Sequence, residues 1–556
     1  MNTRLLPLLV VAAVFVLCQW AVRPSGSLNA TPTDAAQIDD ELPTTVAQVD
    51  GYFEEIWTRQ ELQPAQPADE LLLLRRLALS LMGTVPSLEE IRQFELDDQP
   101  NRIERWTQRY LNDPRFADYF AERLARCFVG VDGGQFIVFR RDRFVNWLSD
   151  QLEANTPYDQ IVRQMISSKG LWTGEPQTNF ITSAVANEDL DENKLAARSV
   201  RAFLGQSMDC AQCHDHPFDE NWQQHHFEGV AAQFGQVEQG GLGVFDSPKK
   251  KYEVQDLAAI EEAEEEPDDI PMREVDSAVP FGKDWVPAEG TMREKFAHWM
   301  THPENQRFER AIANRVWGLM FGRSFITPVD DMPSPSESEA NRDVLDMLGQ
   351  DFREHDYDLK RMIVTIASLK TFRLKSVVEL DNQSQGDVDD EELLSMLDES
   401  WAIFPMTRLR PEQIIGSMLQ ASSIQTIDQN SHLFTRFLRF TNERDFVNEY
   451  GDLGDQELVE QTGTIPQALL RMNSNMTRGA VESGLFSACG RISNMSTTNE
   501  EALEAAYFVC LTRKPSPEER EHFMERLGEH TDDRRNPIVE DIFWTLFNSP
   551  EFSWNH

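Results

Sequence analysis

Apolar residues recur at spacings of three and four along most of the chain, which is the pattern of amphipathic helices. The clearest early case is residues 69–83, DELLLLRRLALSLMG, which stop just before Pro86, a residue that cannot continue a helix. Ser87 is then followed by Glu89 and Glu90, an arrangement typical of a capped helix start. Further helices are predicted at about 101–111, 115–128, 136–154 and 158–168.

A second helical region begins at Met292. Its strongest pattern repeats apolar residues on one helix face until Gly322 ends the run. The residues of that face are Phe308, Ala311, Ile312, Val316 and Leu319. More helices are predicted at about 340–370, from Pro411, at 502–511 and after Pro515. Because strand-like alternation is scarce, the predicted fold class is mainly α.

Composition divides the chain into five segments. Its 556 residues exceed the roughly 250–300 residues at which single cores stop growing, so two helical domains are expected. We place them at 46–235 and 290–556, joined by a linker or insertion at 236–289 that is glycine-rich and then acidic. Residues 24–45 are rich in Pro, Ser, Thr and Asp and predict a flexible tether. Residues 1–23 form a targeting segment.

The targeting segment consists of Arg4 followed by residues 5–22, which carry no charge. Its length lies between that of a signal peptide and that of a membrane-spanning helix, so a cleaved signal and an uncleaved anchor both stay open. Either outcome places the rest of the chain in the periplasm or on the cell surface, with Arg4 on the inner side. Membrane contact is expected only through this segment.

The charge of the chain excludes one class of partner. Asp and Glu number 94 against 52 Lys and Arg, which gives a formal net charge of −42. A nucleic acid backbone would repel such a surface on average, so we expect no nucleic acid partner.

The sharpest chemical motif is Cys210-Ala-Gln-Cys213-His214, the spacing of a covalent c-type haem attachment site. Two thiols three residues apart on a turn can form thioethers at one porphyrin edge, and the next imidazole then ligates the iron. An amphipathic helix over 191–208 delivers the motif, and a helix or turn over about 219–235 follows it. The sequence therefore predicts haem c on Cys210 and Cys213, with His214 as the proximal iron ligand.

Four of the 11 histidines fall in this short stretch, and they keep other chemistries open. His216, His225 and His226 are candidates for the second iron ligand. The same residues with the two cysteines would suit Zn²⁺ or iron in a tetrahedral site. A disulfide or a reduced structural pair of cysteines is also open. Asp215 and Asp219 are candidates either to orient the imidazoles or to cap turns and helices.

Other polar and sulfur-bearing residues favour structural roles. Cys127, Cys489 and Cys510 lie in apolar helical contexts that are typical of buried thiols, and one long-range disulfide is open. Asn314-Arg315 and Asp330-Asp331 are interpreted as a structural ion pair or cap. No glycine-rich phosphate loop, nucleophile elbow or His-Glu-x-x-His helix occurs, so no catalytic residue is predicted.

Several longer stretches together resemble a known pair of domains. ADELLLLRRLALSLMGTVPSLEEI, ANTPYDQIV and CAQCHDHPFDENW are similar to the planctomycete cytochrome-like domain of PSCyt type. REKFAHWMTHPENQRFERAIANRVWGLMFGRSFITPVDDM, HDYDLKRMIVTIA, LTRKPSPEE and NSPEFSWNH are similar to the PSD-type domain that follows it. The resemblance covers most of 48–235 and 290–556. It implies a planctomycete or related source, export, and a haem-like site on Cys210, Cys213 and His214.

Three functions follow as hypotheses. The first is a monohaem envelope protein that transfers electrons or senses redox state and docks with a redox partner or an envelope protein not yet identified. The second is a non-redox envelope interaction protein whose Cys/His loop holds Zn²⁺ or a disulfide. The third is an enzyme acting on extracellular polysaccharide, for which paired carboxylates cannot be located in the sequence.

Overall fold

The computed structural model describes fourteen stretches of the chain. They are 42–131, 139–186, 189–215, 222–241, 243–256, 271–335, 341–378, 390–428, 446–447, 449–454, 458, 463–484, 487–530 and 533–556. The predicted targeting segment lies outside them. These residues contain 23 α-helices and a few short strands, which confirms the mainly α fold.

The first region of the chain contributes ten helices. They are α1 (Leu42–Arg59), α2 (Glu70–Met82), α3 (Leu88–Glu95), α4 (Arg102–Leu111), α5 (Pro114–Val129), α6 (Arg141–Glu153), α7 (Tyr158–Ser167), α8 (Asn179–Thr182), α9 (Glu192–Leu204) and α10 (Gln224–Ala231). Helix α1 begins inside the segment predicted as tether, because Leu42, Thr45 and Val49 turn one buried face toward the core.

The second region contributes thirteen helices. They are α11 (Met292–Met300), α12 (Gln306–Phe321), α13 (Val344–Glu354), α14 (Leu359–Ser368), α15 (Lys370–Arg373), α16 (Asp390–Glu399), α17 (Pro411–Ala421), α18 (Ile465–Asn473), α19 (Asn475–Val481), α20 (Ala488–Met495), α21 (Asn499–Leu511), α22 (Pro517–Leu527) and α23 (Asn536–Asn548). Most lie within a few residues of the helices that periodicity predicts.

Capping residues explain why α2 ends and α3 begins where the sequence indicates. Gly83 adopts a left-handed conformation with φ of 66° and its N–H donates to the Leu79 carbonyl. A Cβ at Gly83 would lie 2.3 Å from the Tyr119 ring, so only glycine fits there. The Glu90 N–H donates to Ser87 Oγ over 3.1 Å, and the Ser87 N–H donates to the Glu90 carboxylate over 2.8 Å.

The segment predicted as a linker or insertion, 236–289, contains short strands. Strand β3 (Val237–Gly240) pairs antiparallel with β4 (Gly243–Asp246), and β5 (Glu253–Gln255) pairs with β6 (Met272–Glu274). Val237 and Val244 are buried, and Val244 exchanges two backbone hydrogen bonds with Gly170. The first pair therefore packs on the core through Val237 and Val244, whereas β5 and β6 are largely exposed. Much of the acidic run, at 257–270, lies outside the described residues.

The three remaining strand pairings are brief. Strand β1 (Val185–Ala186) pairs with β2 (Asp189–Leu190), and β7 (Thr407–Arg408) pairs antiparallel with β8 (Trp554–Asn555). An isolated bridge joins Pro67 to Leu374. The pairing of β7 with β8 brings the last residues of the chain beside the start of α17.

The two predicted helical regions share their apolar cores. One cluster runs from Leu42 in α1 to Phe404 and also contains Leu458 and Phe508. A second joins Leu79 and Val85 to residues between 409 and 552. Phe53 of α1 stacks on Trp317 of α12 with ring centroids 6.1 Å apart. The proposed division at 236–289 therefore does not coincide with a division of the core.

Two adjacent arginines of α2 also join the regions. Arg76 is fully buried, donates to the carbonyls of Phe372 and Leu374 over 2.7 Å each, and lies 3.6 Å over the ring of Phe404. Arg75 donates to the Cys510 carbonyl over 3.1 Å. Burial lowers the pKa of Arg75 to about 10, which still leaves the side chain charged at neutral pH.

A buried ion-pair network lies between α5 and the start of α17. The carboxylate of Glu412 pairs with Arg123 of α5 and with Arg410 at 3.2 Å. Arg410 also donates to the Tyr119 hydroxyl over 2.5 Å. Burial alone would raise the pKa of Glu412, but the charges of Arg123 and Arg410 hold it below its ordinary value.

Candidate functional site

Helix α9 leads directly into the cysteine motif, as the sequence predicts. Asp191 caps it by accepting a hydrogen bond from the Lys194 N–H over 2.9 Å. The helix buries Leu195, Val200 and Phe203 on one face. It ends at Gly205, whose φ of 62° turns the chain away from the helix axis.

The motif itself forms a tight turn on the surface. Residues Asp209–Gln212 make one 3-10 turn, and the N–H groups of Cys213 and His214 donate to the Cys210 carbonyl over 3.2 and 3.3 Å. Ala211 is fully buried and anchors the turn, whereas Cys210, Cys213 and His214 are exposed. Both thiols thus lie on one exposed turn beside the imidazole.

Both cysteines are free thiols, and no disulfide joins any two of the five described cysteines. Cys127, Cys489 and Cys510 are buried, as their apolar contexts predict. Burial raises the pKa of the Cys489 thiol to about 12, which keeps it protonated and unreactive at neutral pH. Cys210 and Cys213 are therefore the exposed thiols of the described part of the chain.

The ring of His214 has a defined orientation. Its Nδ1 lies 2.8 Å from the carbonyl oxygen of Asp215. A carbonyl oxygen only accepts, so Nδ1 carries the proton of the neutral ring and donates it. The lone pair is then on Nε2, which is the arrangement of a histidine that ligates a metal through Nε2.

The ring of His226 has the opposite arrangement. Its Nδ1 accepts a hydrogen bond from the Gln223 N–H over 3.2 Å at the start of α10. The proton of the neutral ring is then on Nε2, which leaves no lone pair for a metal in this conformation. His225 is exposed, with its ring centroid 3.9 Å from that of His226, and it stays a candidate second ligand. His216 lies outside the described residues.

The carboxylate of Asp215 acts as a helix cap. Its Oδ1 accepts a hydrogen bond from the Gln224 N–H over 3.0 Å, at the first residue of α10. The contact from Asp215 to His214 is made by the backbone carbonyl. Of the two interpretations of Asp215, the structure shows capping by the side chain and orientation of the imidazole by the backbone. Asp219 lies outside the described residues.

Residues of the second region contact the segment just before the cysteine turn, which the sequence did not indicate. The Gln206 side-chain amide donates to Asp331 over 2.7 Å, and the Met332 N–H donates to the Gly205 carbonyl over 2.8 Å. Arg307 of α12 donates to the side-chain amide oxygen of Gln206 over 3.4 Å and lies 5.4 Å from the ring centre of buried Trp222. These contacts fix the end of α9 relative to α12.

The interpretation of the neighbouring polar pairs as structural is confirmed. Arg315 donates to Asp330 over 2.6 Å. Asn314 exchanges two hydrogen bonds with the backbone of Ile326, both 2.9 Å long. The carboxylate of Asp330 thus binds Arg315 of α12, and that of Asp331 binds Gln206 just after α9.

Replacing Asp331 with alanine should lower the free energy of unfolding by about 1–3 kcal/mol, because it removes the closest partner of the buried Gln206 amide. Urea denaturation followed by circular dichroism measures the change. Asp541→Ala is the control, since Asp541 forms an exposed pair with Arg526 and should change stability by no more than about 0.5 kcal/mol. Equal losses in the two variants would contradict a supporting role of Asp331.

Neither a metal-binding cluster nor a membrane-spanning helix occurs in the described ranges. No group of three or more His, Cys, Asp or Glu side chains there is arranged to hold a metal ion. Among these same residues, no helix combines the length and the apolar character needed to cross a membrane.

Two family profiles match successive parts of the chain. A family profile named PSCyt2, described as a protein of unknown function (DUF1549), matches residues 48–239 and so contains Cys210, Cys213 and His214. A second profile named PSD1, also described as a protein of unknown function (DUF1553), matches residues 292–527. No curated protein and no solved structure matches the chain.

Proposed function

The chain belongs to the family in which a PSCyt2 domain precedes a PSD1 domain, and from its own site we propose an exported cell-envelope protein with one c-type haem. Cys210 and Cys213 would hold the haem covalently, and His214 would ligate its iron. The protein transfers electrons or senses redox state at the cell surface or in the periplasm.

One observation carries the proposal. Two free, exposed thiols lie on a single turn directly before an imidazole whose Nε2 lone pair is free. Thioether formation needs both sulfur atoms accessible on one side of a turn, and iron ligation needs an unprotonated ring nitrogen. The donor set of this chain therefore fits the group.

The proposal assigns a role to four residues of the turn and to the Asp215 carbonyl beside it. Cys210 and Cys213 bind through their sulfur atoms, and the buried Ala211 between them holds the turn on the core. The Asp215 carbonyl keeps the proton on Nδ1 of His214, which leaves the Nε2 lone pair for the iron. When bound, the haem supplies one-electron redox chemistry. The exposure of the turn lets a partner approach closely.

Export rests on the sequence of the first segment. Residues 5–22 carry no charge and follow Arg4, which is the charge order of a signal peptide or signal anchor. Covalent haem is added outside the cytoplasm, so the two parts of the proposal are consistent with each other.

The test is to produce the full chain in a host that supplies the haem c maturation machinery. We expect a red protein with a Soret band that survives denaturation and a mass increase equal to one haem. The double variant Cys210→Ala/Cys213→Ala should lose both signals, whereas Cys489→Ala, which removes a thiol outside the motif, should keep them. A full-length product without added porphyrin would overturn the proposal, and colourless protein with one zinc would support the metal-site alternative.

A further inference from the structure

Helix α18 turns large apolar side chains toward solvent. Ile465 is 77% exposed, Leu469 52% and Met472 39%. Their spacing of four and three residues places them on one face of the helix. Leu470, in contrast, packs against the second apolar cluster. The helix is therefore held to the body of the protein by one side and leaves a separate apolar face uncovered.

Trp544 of α23 extends this uncovered face. Its indole Nε1 donates to the Met472 carbonyl over 3.4 Å, and the residue is 41% exposed. Arg471 donates to the Asn548 carbonyl over 3.4 Å, which also holds α18 against α23. We name the exposed apolar set the α18 face, and it consists of Ile465, Leu469, Met472 and Trp544.

The charge around the α18 face differs from that of the whole chain. Asp and Glu are 94 of the 556 residues, so about six are expected in a stretch of 39. Residues 461–499 are such a stretch, and they contain one acid, Glu482, against three arginines at 471, 478 and 491. Repulsion from a phosphate-bearing surface is therefore weaker here than over the average surface of the chain.

Two further acids lie near the α18 face, because they precede Trp544 by one turn on α23. Asp541 forms an ion pair with Arg526 over 2.7 Å. Glu540 accepts a hydrogen bond from the Ser483 N–H over 2.8 Å. Both carboxylates are thus already engaged within the protein.

A lipid surface suits the α18 face better than a second protein does. Four partly exposed side chains are few beside the roughly 20–30 residues that each partner contributes to a stable protein interface. A helix with apolar side chains on one face lies readily in the interface of a bilayer, where tryptophan is also favoured. Arg478, exposed on the next helix, can bind a headgroup phosphate.

The predicted targeting segment adds a second argument for a lipid surface. Residues 24–41 link it to α1 and can extend over roughly 60 Å at about 3.3 Å per residue. A folded chain of this length has a radius of gyration of about 24 Å. An uncleaved anchor would therefore keep the body close to the bilayer, where even a weak apolar contact becomes populated.

We propose that the α18 face docks on the surface of a phospholipid bilayer, in addition to the contact expected through residues 5–22. Ile465, Leu469 and Met472 enter the headgroup region, and the ring of Trp544 lies beside them at the interface. This contact does not involve the cysteine turn, so it does not depend on haem attachment.

Hydrogen exchange followed by mass spectrometry tests the proposal on the full chain. Exchange is measured with and without vesicles of phosphatidylethanolamine and phosphatidylglycerol. We expect the amides of residues 465–473 to exchange about tenfold more slowly on the vesicles, because the contact stabilises an otherwise exposed helix. The readout is local to α18, so attachment of the chain through residues 5–22 does not produce it.

Leu469→Asp should abolish this slowing, since it places a charge in the middle of the α18 face. The position is half exposed, so circular dichroism should stay unchanged. Leu96→Asp is the matched control, because Leu96 is a largely exposed apolar residue outside the face, and it should keep the slowing.

Three results would overturn the proposal. The first is unchanged exchange at 465–473 on vesicles, and the second is equal slowing in Leu469→Asp and the wild type. The third is slowing without vesicles that grows with protein concentration, which would indicate a second copy of the chain on this face. Each can be measured with haem-free protein, so failure here is separable from failure of the haem proposal.

Discussion

Replacing Glu412 with glutamine is expected to lower the free energy of unfolding by about 3–5 kcal/mol. Glutamine keeps the shape of the side chain but leaves Arg123 and Arg410 buried without their shared negative charge. Arg123 and Glu412 are both buried, so water cannot replace the lost partner. Urea denaturation followed by circular dichroism and by tryptophan fluorescence measures the loss.

Glu500→Gln is the control, because Glu500 forms an exposed pair with Arg520 and should cost at most about 1 kcal/mol. The two variants should also differ in pH dependence. The pKa of Glu412 is lower in the folded chain than its ordinary value of 4.5. The ionised carboxylate therefore stabilises the fold fully above about pH 4.5, and this stabilisation is lost as the pH falls through the folded pKa. In Glu412→Gln, this part of the loss of stability at acid pH should be absent. A Glu412→Gln stability equal to that of Glu500→Gln would contradict the network.

His214→Ala should remove the proposed histidine ligand of the haem iron, while Cys210 and Cys213 would still hold the haem. We therefore expect covalently attached haem whose Soret band shifts to that of a high-spin or solvent-ligated iron. The physical reason is that His214 alone combines a position next to Cys213 with an Nδ1 proton held by a carbonyl oxygen. Optical spectra of the oxidised and reduced protein measure the change.

His226→Ala is the matched control for that experiment. Because Nδ1 of His226 accepts from the Gln223 N–H, its Nε2 is protonated, and the variant should keep the wild-type spectrum. Added imidazole should restore the spectrum of His214→Ala by occupying the vacated position. A changed spectrum in His226→Ala together with an unchanged one in His214→Ala would reverse the assignment of the ligand.

Much of the helical framework could be predicted from local sequence. The end of α2 follows from Gly83 and the start of α3 from the Ser87 capping pattern, and both signals act over only a few residues. The buried face of α9 follows from its periodicity, and the exposed thiols follow from the motif that it delivers. Local rules suffice wherever the partner of a residue lies within one or two helical turns.

The contacts that complete the site could not be predicted, because their partners are distant in the chain. Gln206 and Asp331 are 125 residues apart, and Arg123 and Glu412 are 289 apart. Arg408 and Trp554 come together only through the pairing of two-residue strands that have no readable alternation. The tautomer of His226 also required the backbone geometry at the start of α10.

The pairing of β7 with β8, together with the carbonyls that hold Arg75 and Arg76, has a consequence for the evolution of these proteins. Each half leaves apolar and charged surface that only the other half covers. Recombination that joins a first half to an unrelated second half would leave these surfaces uncovered unless both surfaces changed together. Selection would therefore favour inheritance of the two halves together.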